Sequence, residues 1–111
     1  MIYHIATRKD WDAAQAAGEY SAESLKAEGF IHCSTAGQVQ ATANRFFRWQ
    51  QELVLLNIDE KKVVAEIKYE NLEGGTDLFP HVYGPLPMMA VIRVMVLFPD
   101  QDGFFLVNLT N

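Results

Sequence analysis

One cysteine, Cys33, occurs in 111 residues, which excludes an internal disulfide and a zinc site built from several cysteines. No apolar run approaches the roughly 20 residues needed to span a bilayer. The opening Met-Ile-Tyr-His has neither the basic nor the long apolar stretch of a secretory signal. These absences predict a reduced, cytoplasmic protein with no membrane segment. Basic residues are also few: nine Lys and Arg against 14 Asp and Glu leave a net charge of −5. Sequence-independent binding to duplex nucleic acid, which relies on many Lys and Arg contacts to phosphate, is therefore disfavoured. A small ligand fits the charge better, and Arg8, Arg45 and Arg48 remain as local contacts for the phosphates of a small-molecule nucleotide. Also missing are a G-x-S-x-G nucleophile elbow, an H-x-x-x-H pair, internal repeats and any linker-like tract. A single domain over residues 1–111 is expected, large enough to bury about two-thirds of its unfolded surface.

What the chain does contain is three histidines, each inside a short apolar run: Ile2-Tyr3-His4-Ile5, Phe30-Ile31-His32-Cys33-Ser34 and Phe79-Pro80-His81-Val82-Tyr83. A buried imidazole needs a hydrogen-bond partner or a ligand. Three of them from separate segments suggest convergence on one pocket.

The surrounding pattern predicts an α+β order, with two main helices in the first half followed mostly by strands around a curved, largely antiparallel β core. Residues 2–6 read as a strand. Thr7, with Asp10 three residues on, opens a helix that runs to Ala17 and stops at Gly18. Residues 21–28 hold a short helical turn, and residues 30–34 form the next strand. Thr35-Ala-Gly-Gln38 has capping-box spacing and opens a second helix reaching about Trp49, with Arg45 and Arg48 one turn apart on it. The run Leu53-Val-Leu-Leu-Asn-Ile58 reads as a strand covered on both faces. Residues 63–69 and 90–98 give further strands, and residues 103–109 an edge strand or docking segment.

Along the middle strand, alternation puts Phe30, His32 and Ser34 on one face and Ile31 and Cys33 on the other. His32 and Ser34 would then contact sugar hydroxyls, with Thr35 at the helix entrance offering amides to a phosphate. The competing reading is a core histidine bonded to backbone. His4, alone in its strand, reads more readily as structural, and Cys33 as a buried core thiol. Pro80, Gly84, Pro85 and Pro87 make residues 79–87 a stiff frame rather than one regular central strand, from which His81 and Tyr83 project together. A three-histidine zinc site is the weaker reading, because isolated histidines from three segments are a low-specificity signal.

Several stretches resemble the small bacterial family known as domain of unknown function 952. They are Tyr3-His4-Ile5, Trp11, Glu28-Gly-Phe-Ile-His-Cys-Ser34, Gln38, Asn44-Arg-Phe-Phe47, Leu53-Val-Leu-Leu56 and Phe79-Pro-His-Val-Tyr-Gly-Pro-Leu86. The resemblance covers most of residues 2–95. That family is distantly similar to the ADP-ribosyltransferase superfamily, which implies an ADP-ribosyltransferase-like fold and a transferase that takes NAD or a 2′-phosphorylated ribonucleotide as substrate. It implies a ribose contact at His4 and a second polar motif at His32, Ser34 and Thr35. The glutamate that most active members of the superfamily use has no counterpart in the late motif, where His81 and Tyr83 stand; Glu66 and Glu70 lie nearby with no role marked. His4, His32 and His81 are thus the candidate catalytic residues, and Ser34, Thr35, Tyr83 and Arg45 the candidate ligand contacts. Three classes of function remain: a transferase, a nucleotide or metabolite binding module without chemistry, and a structural or partner-binding domain.

Overall fold

A computed structural model describes residues 1–109. Its elements are β1 (Ile2–Thr7), α1 (Arg8–Ala17), β2 (Glu19–Tyr20), α2 (Glu23–Glu28), β3 (Ile31–His32), α3 (Val39–Phe46), β4 (Leu53–Ile58), β5 (Ile67–Glu70), β6 (Phe79–Val82), β7 (Leu86–Pro87) and β8 (Val91–Leu97). The class is α+β, and every strand pairing is antiparallel. All three helices lie in the first half of the chain, the third of them being the short α2.

Two three-stranded sheets, β1-β4-β8 and β3-β6-β5, carry the architecture, with β2 and β7 as a small separate pair. A single bridge joins the two larger sheets: the Tyr3 and Ser34 backbones exchange hydrogen bonds of 2.9 and 2.8 Å. Beyond that point the sheets splay apart.

β4 is central and buried along its whole length, as its unbroken apolar run predicts. Alternation sends Val54, Leu56 and Ile58 to one face with Ile2 and Ala6, where Trp11 and Ala14 of α1 cover them. Leu53 and Leu55 go to the other face with Tyr3 and Ile5, beneath Val39 and Ala43 of α3. Helix α1 follows its caps: the Asp10 N–H donates to the Thr7 hydroxyl at 3.1 Å, and Gly18 ends it in the left-handed conformation.

Two expectations need correction. Helix α3 is shorter than the capping-box spacing predicts. Only half of the box forms, with the Thr35 N–H donating to Gln38 Oε1 at 3.0 Å, and the helix starts at Val39. At its other end the chain leaves the helix after Phe46. Arg48 donates to the Asp102 carbonyl at 2.5 Å and packs over the Phe104 ring, while the Trp49 N–H donates to the Gly103 carbonyl. Arg45 and Arg48 therefore do not share a helix face. The strand expected over residues 63–69 begins only at Ile67. Of the two readings of segment 103–109, the docking segment is the one that forms, as a strap over α3: Asn44 on α3 both accepts from the Phe105 N–H (2.6 Å) and donates to its carbonyl (3.2 Å). Gln40 accepts from the Val107 N–H at 2.9 Å.

Pro80 occupies a central strand, where the lost N–H would ordinarily cost a ladder bond. It faces the chain just past the end of β3. Its carbonyl still accepts from the Cys33 N–H at 3.0 Å. Segment 79–87 is regular only through Val82, then turns before Leu86 and Pro87 pair with β2.

Candidate functional site

The splay between the sheets opens a cavity of about 600 Å³. Tyr3, His4 and Ile5 of β1 form its floor, with Cys33 and Ser34 beyond β3. Thr42 and Phe46 of α3, with Phe47 just after it, close one side. Glu28 from α2, Phe30 and His32, and Phe79 and His81 of β6 make the other, and Glu70 to Glu73 line the rim.

His81 and His32 are direct cross-strand partners on β6 and β3. The Tyr83 N–H bonds back toward β5 at Glu66, so by alternation the backbone groups of His81 also point to β5. His32 and His81 therefore form a pair without ladder bonds between them, the geometry that brings opposed side chains closest. Their ring centroids are 5.4 Å apart at 76°, and Phe30 stacks on His81 at 4.2 Å while meeting His32 edge-on at 4.8 Å.

Each of these histidines has its own carboxylate. His81 Nδ1–H donates to Glu70 Oε1 at 3.0 Å, and the Tyr83 hydroxyl donates to the same oxygen. A carboxylate can only accept here, so a neutral His81 carries its lone pair on Nε2, which has no partner among the described residues. The Tyr83 hydroxyl and His81 hold the Glu70 carboxyl below the usual carboxylate range, and Glu70 in turn pushes the Tyr83 hydroxyl up to about 12. His32 Nε2–H donates to Glu28 Oε2 at 2.8 Å, leaving Nδ1 as its free nitrogen. The two pairs differ in access: the His81 side chain is 7% exposed and that of His32 51%.

His4 lines the same cavity but has no free nitrogen. Nδ1–H donates to the His32 carbonyl at 2.5 Å, and Nε2 accepts from the Tyr20 hydroxyl at 2.7 Å. It satisfies a strand carbonyl left unpaired where the sheets separate. Burial lowers its pKa from 6.5 to about 4 and keeps it neutral. Burial likewise pushes the Cys33 thiol up, as expected for a core residue.

Of the other candidates, Ser34 lines the cavity and donates to the Thr42 hydroxyl at 3.2 Å. Thr35, Tyr83 and Arg45 do not line it. Tyr83 reaches it only through Glu70. Arg45 is exposed on the last turn of α3, its guanidinium over the Phe46 ring at 4.9 Å. Sequence reasoning missed Glu28 and gave Glu70 no role. The four-residue interval from Glu28 to His32, bent by left-handed Gly29 (φ 90°), was the available signal for the first. Among the described residues no group of three or more His, Cys, Asp or Glu is arranged to hold a metal ion, and no helix is long and apolar enough to cross a membrane.

The profile of the family described as "Protein of unknown function (DUF952)" matches residues 5–94. The chain belongs to that family. The crystal structure of protein CC0527 from Caulobacter crescentus is similar throughout, with a TM-score of 0.85 and 40% identity over 95% of this chain and 92% of that one. The solution structure of CC0527 gives a TM-score of 0.81 and 41% identity over 93% and 89% of the two chains. No curated protein matches the chain. CC0527 thus shares the fold over nearly all of this chain.

Proposed function

We propose that the cavity is the site of an ADP-ribosyltransferase-like enzyme that takes NAD and breaks the bond between nicotinamide and ribose. The observation that carries this reading is Glu70, a carboxylate held in the cavity wall by His81 and Tyr83, in a cavity that no Lys or Arg lines among the described residues. Cleavage of that glycosidic bond passes through an oxocarbenium-like state, and nicotinamide leaves from a pyridinium cation without needing an acid. Positive charge is present on the ring at the start and on the sugar at the transition state. A fixed carboxylate near the anomeric carbon lowers the barrier to the extent that it stabilises the sugar cation more than the starting pyridinium ring. Phe46, Phe47 and Phe79 offer apolar ring surface to the nicotinamide.

The same charge argument disfavours transfer of a 2′-phosphate. A dianionic phosphate placed for transfer beside Glu70 would face that carboxylate with no lining Lys or Arg among the described residues to offset it, whereas the reacting carbon of NAD becomes positive. The Lys68 ammonium is spent over the Tyr83 ring at 4.8 Å and does not line the cavity. A second reading, a binding module without chemistry, is favoured by the double engagement of Glu70 Oε1. It predicts NAD binding with no nicotinamide release.

The test is release of nicotinamide from NAD by the purified chain and by Glu70→Gln, which preserves shape and removes charge. The expected result is turnover that drops by about 10²-fold or more in the variant. Binding without turnover selects the second reading, and absence of both binding and turnover overturns the assignment to NAD.

A further inference from the structure

Two carboxylate–histidine pairs face one cavity, and the reaction proposed above uses only the inner one. The outer pair has a different position and a different free atom. Helix α2 ends at Glu28, Gly29 turns the chain in the left-handed conformation, and β3 brings His32 back against Glu28 at 2.8 Å. Because Nε2–H is committed to Glu28, the lone pair of neutral His32 lies on Nδ1, which has no partner among the described residues. This nitrogen belongs to a half-exposed side chain whose ring centroid is 5.4 Å from that of His81. It is reachable from solvent and adjacent to the inner pair.

We infer that His32, oriented by Glu28, is the base that takes the proton from the incoming acceptor, and that the acceptor is a hydroxyl nucleophile entering from solvent. The inference rests on the NAD reading. The balance is as follows: the acceptor oxygen forms a bond to the anomeric carbon of the ribose. The carbon–nitrogen bond to nicotinamide breaks, and its electron pair neutralises the pyridinium. The acceptor proton passes to His32 Nδ1 and then to water. Glu28 is a positioning residue, fixing the tautomer and stabilising the imidazolium formed in the step.

The experiment measures nicotinamide release by the purified full chain, with water as acceptor and with methanol added as an alternative hydroxyl nucleophile. His32→Ala should lower kcat by about 10²-fold with KM for NAD little changed, and exogenous imidazole should restore part of the loss through the space vacated at the cavity mouth. Formation of a methyl ADP-riboside by the wild type, reduced in parallel with hydrolysis in the variant, supports the hydroxyl-acceptor assignment. Glu28→Gln should lower kcat several-fold with KM held and the urea midpoint unchanged, and Glu28→Asp should recover part of the rate, which loss of folded enzyme alone would not produce. His32→Gln serves as the second variant if His32→Ala does not fold. Full kcat in the His32 variants with a turning-over wild type overturns the base assignment and leaves the NAD reading standing. A wild type that releases no nicotinamide overturns both.

Discussion

Lowering the pH tests the placement of His4 without any ligand. The imidazole is 8% exposed and neutral, its ordinary value of 6.5 lowered to about 4 chiefly by burial. In the unfolded chain it takes up a proton near 6.5, and in the folded chain only near 4. Between those values the unfolded state binds more protons, so stability falls as pH falls. The stabilisation is complete above the unfolded value and is lost on the way down to the folded one. At about 1.4 kcal/mol per pH unit, the gap between 6.5 and about 4 amounts to about 3 kcal/mol by pH 4. For a chain of this size that lowers Tm by on the order of 10 °C or more. Urea midpoints at constant m, measured from pH 7.5 to 4, read the effect directly. His4→Gln is the control. It should be less stable at neutral pH by about 1–3 kcal/mol, because its flexible amide does not hold donor and acceptor in the imidazole's fixed geometry and gives up the ring contact with Tyr20. It should also lose much less on acidification. Glu60 and Glu70, held below the usual carboxylate range first by the Tyr69 and Tyr83 hydroxyls respectively, lose their stabilisation in the same direction at lower pH, and equally in both proteins. Parallel pH profiles for the wild type and the variant would refute the assignment of a neutral, doubly bonded His4.

Two further outcomes concern the buried thiol beside His32 and the strap over α3. Cys33, buried with its thiol pushed up, should resist an aromatic disulfide reagent in the folded protein and react at the rate of unfolding in urea; rapid labelling under native conditions would contradict its burial. Gly103→Ala should destabilise by about 1 kcal/mol or more, read as a shift in the urea midpoint. Gly103 has a φ of 83°, and an added Cβ would meet the Trp49 ring at 2.5 Å. An unchanged midpoint would show that the strap over α3 contributes nothing to stability.

What was legible in the sequence is what local chemistry decides. Thr7 with Asp10 marked the start of α1 and Gly18 its end, because caps are satisfied within a few residues. The apolar run 53–58 announced a strand covered on both faces, since no polar face is needed where both sides pack. Histidines in three apolar runs pointed to one cavity, and all three line it. Their roles were less legible. His4 and His32 look alike in sequence, yet His4 is neutral and fully bonded while His32 is half-exposed with a free nitrogen. The difference comes from which strand each faces across the splay. Glu70 was hidden for a similar reason. Its link to His81 depends on the register of β5 against β6, where Lys68 opposes His81 and Glu70 opposes Phe79, so the carboxylate reaches the imidazole on the diagonal. Register is set by pairing across the whole sheet, and no short motif encodes it. Helix α3 was overextended because the pull on Arg48 and Trp49 comes from residues 102–104, more than 50 positions away.

One structural cause underlies both the cavity and the cost of keeping it. If β1 and β3 paired along their length, the space between the sheets would close, and the His32 carbonyl would find a backbone donor. Instead a single bridge at Tyr3 and Ser34 lets the sheets diverge, and an unpaired strand carbonyl at that point would cost roughly 1–3 kcal/mol. His4 offsets this by donating Nδ1–H to the carbonyl, and the Tyr20 hydroxyl then occupies its remaining nitrogen. The imidazole thus stands in for a missing rung of the ladder. His4 is therefore bound to the existence of the cavity without taking a proton in it, and its substitution should disturb the separation of the sheets before it disturbs any chemistry. His32 hangs from the same residue whose carbonyl His4 holds. A change at His4 should reach the outer histidine through one hydrogen bond, displacing Nδ1 of His32 while leaving the Glu70–His81–Tyr83 cluster on β5 and β6 intact.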